Sequence, residues 1–223
     1  MAAEFLCNRW TLLLIREMLF GSTSFNDICR GLPLASRTLL SNRLKELIQK
    51  EIVTKSKNTD TGQTQYLLTE AGLELGAVIK AMASWGQEWL QTEPALAEID
   101  ESLLMWDIRR NAKPLAILPD PFIVHFHLND IAENRANHWL IYENDEVDLC
   151  YIDHDFNIDV VIDVSVKKLV KIWMGWDDYD AAINDSSLIV EGSKKYVDIT
   201  KVWLGQSSIA HVKKHPENKR INA

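Results

Sequence analysis

The sequence predicts an α+β fold in two domains, with helices and a hairpin in residues 1–92 and an antiparallel sheet with helices in residues 93–223. Three observations predict this fold class. In the first third, apolar residues recur at three- and four-residue steps, which is the period of an amphipathic helix. From residue 122 onward, short runs rich in β-branched and aromatic residues are separated by turn residues, as in consecutive strands. Further helical patterns follow these strands, which separates strands from helices along the chain.

Cap and turn residues divide residues 1–92 into three short helices, a hairpin and a long helix. Gly21 ends the first helix, and Ser24 and Ser36 are suitable N-caps for the next two. Turns this short leave only a compact packing of three helices. The predicted elements are helices over 10–18 and 25–30, a helix after Ser36, strands over 52–56 and 65–68 joined by a tip at 58–62, and a helix from 70 to about 90.

The third helix has two chemically different faces. The residues that share one buried stripe are Leu40, Leu44, Leu47 and Ile48. The other side is short, polar and basic, holds no acid before Glu46, and suits phosphates and base edges in the major groove of DNA. The residues predicted on that side are Arg37, Thr38, Ser41, Asn42 and Lys45.

The hairpin carries Lys55 and Lys57 beside its tip, where a wing reaches the DNA backbone. Together with the third helix, this predicts a DNA-binding winged helix-turn-helix. An ordinary amphipathic surface helix followed by a hairpin would give the same pattern, so that alternative stays open at this point.

The long helix, capped by Thr69, extends well past the small domain that it leaves. Its apolar positions are Leu73, Ala77, Ala81, Trp85 and Trp89. A projecting helix with both tryptophans exposed would be unstable alone. We therefore expect it to pack on a second copy of the chain or, equally, on the acidic half of its own chain. Glu93 and Pro94 end the helix, and residues 91–98 are interpreted as a linker.

The second domain begins with strands and continues with helices. Short turns between the strands predict an antiparallel sheet. The predicted elements are strands over 122–128, 138–143, 147–153 and 158–164, a helix over 166–173 capped by Ser165, a helix over 177–184, a strand over 188–192 and a closing helix over 196–203. The polar tail, residues 211–223, is expected to be frayed.

The charge differs between the two predicted domains. The chain has 223 residues and a net charge of −8; residues 1–92 carry 10 Lys and Arg against 9 Asp and Glu, and residues 93–223 carry 14 against 23. A near-neutral first domain with its basic residues on one helix and one hairpin is compatible with DNA. The acidic second domain should point away from phosphates.

Cysteine usage and hydropathy predict a cytoplasmic protein without a membrane partner. Cys7, Cys29 and Cys150 are too few and too scattered for a disulfide framework or a zinc finger. No apolar run is long enough to span a membrane, and the N-terminus lacks the pattern of a signal peptide. Redox sensing by Cys7 or Cys29 is a hypothesis, because Arg9 and Arg30 lie close in sequence.

Two groups of histidines could carry chemistry in the second domain. His125 and His127 share a strand face and could bind a metal with His138 or Asp153 as a third ligand. The favoured interpretation is that this face meets solvent or another domain, because the alternate residues are apolar.

His154 lies between Asp153 and Asp155, an arrangement that could serve acid–base catalysis, but turn chemistry explains it better. No nucleophile or phosphate-loop motif accompanies it. We therefore expect no enzyme activity, catalytic residue, metal or cofactor. The tryptophans, interpreted as core rather than as the lining of a ligand pocket, are Trp106, Trp139, Trp173, Trp176 and Trp203.

Several ordered segments of residues 5–90 resemble the HxlR-type winged helix-turn-helix regulators. The segment Asn8 to Glu17 looks like the first-helix signature of that family, and Phe25 to Ile28 is similar to its second helix. The segments that fit the recognition helix, its exit and the far wing strand are Ser36, Leu39–Ser41, Arg43–Leu47, Ile52–Val53, Tyr66, Leu68–Thr69 and Gly72. Glu51 stands where the family commonly has a glycine, and the wing tip lacks the usual prolines.

The resemblance implies a cytoplasmic transcriptional regulator that binds inverted-repeat operators as a homodimer through its terminal helices. By resemblance, Trp85 and Trp89 would belong to the dimer contact. The residues that it places at the major groove are Arg37, Thr38, Ser41 and Asn42, and those that would hold phosphates are Ser36, Arg43 and Lys45. The hairpin pattern adds Lys55 and Lys57 on the wing.

The acidic half more weakly resembles the sterol-carrier-protein-like fold that is appended to some of these regulators. The matching features are the series of strands, the helix over 166–173, the strand over 188–192 and the closing helix. The resemblance implies a module that binds a small apolar effector or dimerises, and a packed core without a ligand is an equal alternative. The competing function for the whole chain is a small-molecule or lipid carrier whose helical domain is an interaction platform.

Overall fold

The computed structural model describes residues 1–59, 61–91 and 99–222, and it divides into two compact units, Met1–Gln87 and Glu88–Ala223. Most of the predicted linker (residues 92–98), and Asp60 in the predicted wing tip, lie outside the described residues. The expected boundary followed residue 92; the units divide earlier because the end of the long helix packs with the tail, where Trp89 and His215 have ring centroids 4.0 Å apart. None of the described helices has the length and apolar character needed to cross a membrane.

The first unit contains four short helices, a hairpin and most of a long helix. Its elements are α1 (Ala2–Leu6), α2 (Thr11–Leu19), α3 (Phe25–Arg30), α4 (Arg37–Gln49), β1 (Val53–Lys57), β2 (Thr64–Leu68) and α5 (Glu70–Trp89). The predicted elements are present, each within about two residues of its predicted bounds. The sequence did not predict α1.

Side-chain caps set where α3 and α4 begin. Ser24 Oγ accepts a hydrogen bond from the Asp27 amide at 3.1 Å, and Ser36 Oγ accepts one from the Leu39 amide at 3.3 Å. Such caps satisfy amides that have no partner inside the helix. The apolar side chains that α2, α3, the turn after α3, α4 and β1 then bury in one core are Leu14, Ile15, Met18, Ile28, Leu32, Ala35, Leu40, Leu44, Leu47 and Val53.

Glu51 ends the turn after α4 in a left-handed conformation, with φ at 57°. The left-handed conformation is less stable than the right-handed one by roughly 1–2 kcal/mol for an L-residue. Glycine adopts it without this strain, but its greater loss of chain entropy on folding costs about 0.5–1 kcal/mol. We expect Glu51→Gly to raise the free energy of unfolding by about 0.5–1 kcal/mol in urea denaturation. Glu51→Ala keeps the strained backbone and is the control; an equal gain in both variants would show that the side chain, not the backbone, is unfavourable.

The second unit combines one five-stranded sheet with helices. Its elements are β3 (Leu90–Gln91), α6 (Glu101–Asn111), β4 (Phe122–Leu128), α7 (Glu133–Ala136), β5 (Asn137–Glu143), β6 (Glu146–Cys150), β7 (Val160–Val164), α8 (Val166–Trp173), α9 (Tyr179–Asn184), β8 (Leu188–Gly192), α10 (Lys194–Val197), α11 (Thr200–Leu204) and β9 (Ile221–Asn222).

The sheet is mixed, so the expectation of an antiparallel sheet is wrong at one strand pair. The strand order is β6-β5-β4-β7-β8, and β4 and β7 run parallel with Val124 opposite Val160. The other neighbouring pairs are antiparallel. Parallel neighbours cannot be joined by a hairpin. Residues 151–159 therefore carry the chain from β6, at one edge of the sheet, to the far side of β4.

Three further expectations need correction. The strand predicted over 147–153 ends at Cys150 because Asp153 Oδ1 accepts from the Asp155 amide at 2.9 Å and turns the chain. The closing helix is divided into α10 and α11. The tail is not frayed up to residue 222, since β9 pairs with β3 and the His215 amide donates to the Glu88 carbonyl at 2.9 Å.

One face of the sheet packs against helices to form the core of the second unit. The largest fully buried side chains there include Trp203, Phe122 and Phe126. Trp173 and Trp203 belong to this core, as interpreted from the sequence. Trp106 and Trp139 are buried outside it, and Trp176 is half-buried. The indole N–H of Trp203 donates to the Tyr196 carbonyl at 3.0 Å, which satisfies its one polar group.

Candidate nucleic-acid interface

The outward face of α4 is a polar strip that the fold leaves open. Thr38, Asn42, Lys45 and Gln49 are all exposed, and their spacing of four, three and four residues places them along one side of the helix. The opposite side, with Leu40, Leu44 and Leu47, is the side buried in the core. We call these four exposed residues the recognition strip. Gln49 was not predicted, although the same periodicity that selects Asn42 and Lys45 also selects Gln49.

The N-terminus of α4 lies at one end of the recognition strip. Ser36, Arg37 and Thr38 are exposed there, and Ser36 already caps the Leu39 amide. The first amides of a helix carry partial positive charge and bind phosphate oxygens. This end of the helix can therefore accept a phosphate of the DNA backbone, with Ser36 beside it.

Arg37 lies at the edge of the strip, not in its middle. Its Nη2 donates to Asn26 Oδ1 at 2.8 Å, and its guanidinium lies 4.9 Å from the ring centroid of Phe25. These contacts hold the start of α4 against α3. Ser41, on the same flank, is half-buried. The prediction that both side chains reach the groove stays a prediction.

Arg43 lies on the opposite flank and is engaged by neighbours. Its Nη1 donates to both carboxylate oxygens of Glu46, at 2.9 and 2.6 Å, and its Nε donates to the Arg9 carbonyl at 3.4 Å. Residues three apart on a helix meet readily. A phosphate would have to compete with Glu46, so Arg43 is less available than Lys45, which has no ion pair among the described residues.

The wing adds two lysines on one side of its first strand. Lys55 and Lys57 are exposed and two residues apart, so they share a face of β1. Lys55 Nζ lies 5.9 Å from the ring centroid of Tyr66 on β2. At the tip, Asn58 Oδ1 accepts from the Thr61 amide at 2.9 Å and Gly62 adopts a φ of 68°. Both lysines are thus open to an external anion such as a phosphate.

Exposed apolar side chains lie along one side of α5. Val78, Met82 and Trp85 are between 45% and 54% exposed, and Ala81 between them is exposed as well. We call these four residues the α5 stripe. Trp89, the other predicted dimer contact, is half-buried and lies against His215.

The two histidines of the predicted pair have separate hydrogen-bonding partners. His127 Nδ1 lies 2.5 Å from Asp163 Oδ2, and His125 Nε2 lies 2.8 Å from Asn137 Oδ1. The hydrogen bond with His127 lowers the pKa of the Asp163 carboxyl. No group of three or more potential metal ligands occurs within residues 1–59, 61–91 and 99–222. The face is also less open than expected, because Trp139 on the same side is buried.

The remaining candidates do not form a site. His154 lies in an exposed turn with its ring centroid 5.6 Å from that of Phe156. Burial raises the pKa of the Cys29 thiol more than Arg37 lowers it, which disfavours the reactive thiolate. Cys7 is exposed at the end of α1.

Comparison with known proteins assigns the first unit to a family. Residues 5–94 match the HxlR-like helix-turn-helix family. The HTH-type transcriptional regulator YodB of Bacillus subtilis is 34% identical over 98 residues, which cover 44% of this chain and 88% of that protein. The chain belongs to the HxlR-like helix-turn-helix family. The HxlR-type resemblance predicted for about residues 5–90 is confirmed.

Other relatives of this HxlR-family chain match the same segment. An uncharacterized HTH-type transcriptional regulator of Mycobacterium tuberculosis is 38% identical over 90 residues, which cover 40% of this chain and 56% of that protein. The chain thus spans about half the length of this relative. The solved reduced form of YodB from B. subtilis is 37% identical, with a TM-score of 0.36, over 39% of this chain and 85% of that one.

Proposed function

We propose that this HxlR-family chain is a cytoplasmic transcriptional regulator, not an enzyme, that binds double-stranded DNA through the recognition strip and the wing. The observation that carries the proposal is the exposed strip Thr38, Asn42, Lys45 and Gln49 beside the exposed Lys55 and Lys57. Relatives that share this domain are named as HTH-type transcriptional regulators, which supports the same reading.

The side chains of the strip suit the chemistry of base edges. Asn42 can donate to and accept from one adenine, and Lys45 can donate to a guanine or a phosphate. Thr38 offers a hydroxyl and a methyl group. The basic wing and the N-terminus of α4 supply the sequence-independent contacts that position a helix in the groove.

The proposal extends to a homodimer on an inverted repeat. One α4 reads only a short half-site, and two copies related by two-fold symmetry read a palindrome. We assign the dimer contact to the α5 stripe, because the apolar side chains of Val78, Met82 and Trp85 are exposed to solvent. Burying such area against a second copy would remove it from water.

We expect the double variant Met82→Glu and Trp85→Glu to dissociate the dimer. Each substitution places a carboxylate in an apolar interface, where an unpaired charge is costly. Sedimentation velocity should give a dimer for the wild-type chain and a monomer for the variant at the same micromolar concentration. Lys80→Glu, also exposed on α5 but outside the stripe, is the control. A variant that sediments as the wild type would remove α5 from the interface.

The second unit is proposed to be a sterol-carrier-like module for a small apolar effector. An open groove of about 460 Å³ lies beside α9, β8 and α11. Its apolar lining includes Ile183, Leu188 and Val190, and Asp180 and Lys201 pair at 2.8 Å beside it. An effector bound there would act by changing the relative positions of the two recognition helices in a dimer. The competing proposal, a lipid or small-molecule carrier, uses the same groove without any DNA.

Selection of duplexes from a random pool separates the regulator from the carrier. A regulator should enrich one sequence with inverted half-sites, and its affinity should fall steeply with salt. If the chain enriches no sequence, and its weak affinity for duplex DNA does not change with salt concentration, the carrier function is supported instead.

A further inference from the structure

The turn between α3 and α4 presents a large aliphatic side chain, Leu34, to solvent beside the recognition strip. Leu34 is 81% exposed, whereas Leu32 and Ala35 on either side of it are 3% and 9% exposed. The Ala35 amide donates to the Leu32 carbonyl at 3.0 Å, which closes the turn. Since Leu32 and Ala35 are held in the core, Leu34 is left on the outer side of the turn.

The turn is also braced from both of the helices that it joins. The contacts of Arg37 with Asn26 and Phe25 tie the first turn of α4 to the first turn of α3. Leu34 precedes the cap Ser36 by two residues. It is therefore presented in a fixed place at the N-terminal end of α4, the end that contacts base edges in helix-turn-helix proteins.

The chemistry of the major groove offers one apolar partner for such a side chain. Each base pair shows hydrogen-bond donors and acceptors there, and only thymine adds a methyl group. The recognition strip is polar and can read donors and acceptors, but it has no large apolar side chain. Leu34 supplies one at its end, without an intervening charged residue before Ser36.

We propose that Leu34 is a specificity-determining residue that packs against the methyl group of a thymine in each half-site. This inference rests on the proposed function, because it needs a bound duplex. It adds a large apolar contact to the single methyl group that the strip offers on Thr38. Burying one methyl group is worth about a fourfold change in affinity, which is large enough to measure by titration.

Thymine-to-uracil replacement tests this contact, because uracil lacks only the methyl group. The full chain is titrated with the duplex recovered by selection and with duplexes in which each thymine of one half-site is replaced in turn. We expect one position at which the replacement weakens wild-type binding about fourfold. Leu34→Ala should bind the thymine duplex about fourfold or more weakly and should no longer distinguish thymine from uracil at that position.

Leu73→Ala is the matched control, since Leu73 is an exposed leucine of α5, 58% exposed, that lies outside the recognition strip, the wing and the α5 stripe; it should keep the full response to uracil. Two results would overturn the inference while the proposed function stands: no uracil position whose effect depends on Leu34, or an equal loss by Leu34→Ala on selected and unselected duplexes, which would indicate a backbone contact. If the wild-type chain binds no duplex, the proposed function fails and this inference fails with it.

Discussion

Gly72→Ala is expected to lower the free energy of unfolding by about 1–3 kcal/mol, the range of an overpacked site. The loss is expected although alanine is favoured over glycine inside a helix by about 1 kcal/mol. A Cβ at residue 72 would lie 2.3 Å from the Ile52 carbonyl oxygen and 3.1 Å from Leu68 Cδ2. The carbonyl is a backbone atom, so it cannot rotate away.

The Ile52 carbonyl is held where it is by the start of α5. It accepts hydrogen bonds from the Thr69 amide at 3.0 Å and from Thr69 Oγ1 at 3.2 Å. Moving it to make room for a methyl group would break the junction between the wing and α5. Chemical denaturation of the full chain, followed by circular dichroism, measures the loss.

Gly76→Ala is the matched control on the same helix. Its nearest neighbours would be Leu19 methyl carbons at 3.5 and 3.6 Å, which is ordinary contact. This variant should therefore gain up to about 1 kcal/mol from helix propensity. Equal effects of both substitutions, in either direction, would contradict a close approach at Gly72.

Trp203→Ala is expected to cost about 3–5 kcal/mol of the stability of the second unit, as for large-to-small changes in a packed core. The Trp203 side chain is fully buried. Its ring lies 5.4 Å from Phe122 and 6.0 Å from Tyr142, centroid to centroid, in edge-to-face contacts. Truncation would leave a cavity between α11 and the sheet and would remove the hydrogen bond to Tyr196.

The neighbouring Val202 provides the control for Trp203. It belongs to the same helix but is 53% exposed, so Val202→Ala should change stability by less than about 0.5 kcal/mol. Thermal unfolding followed by near-ultraviolet circular dichroism reports directly on the buried aromatic cluster. A Trp203→Ala variant as stable as Val202→Ala would mean that α11 does not pack on the sheet.

Local signals in the sequence were sufficient for much of the fold. Ser24, Ser36 and Ser165 cap the helices that they were expected to cap, since a cap depends on residues within one turn. The strands β4 and β8 have the predicted bounds, because each is a run of β-branched, aromatic or other apolar residues that ends at turn residues. The signal for α6 was present but missed: Asp100 caps it, and Leu104 and Ile108 face the core.

Features that depend on distant residues could not be predicted in the same way. The parallel pairing of β4 with β7 is set by the route of residues 151–159, which has no local pattern. The order of the tail depends on its pairing with β3 and on Glu88. At the candidate site, periodicity identified the exposed face of α4. It gave no sign that Arg37 would bind Asn26 or that Arg43 would bind the Arg9 carbonyl.

The central claim is that the recognition strip of α4 binds DNA, and its most direct test is the affinity of a strip variant for the selected duplex. Fluorescence anisotropy at one fixed salt concentration would compare the wild type with Thr38→Ala/Asn42→Ala/Lys45→Ala, and with Lys80→Ala as a control for lost positive charge. Since each base or phosphate contact is worth about 1–3 kcal/mol, the triple variant should bind at least about 100-fold more weakly while Lys80→Ala stays within about twofold. A triple variant that binds like the wild type would contradict the account.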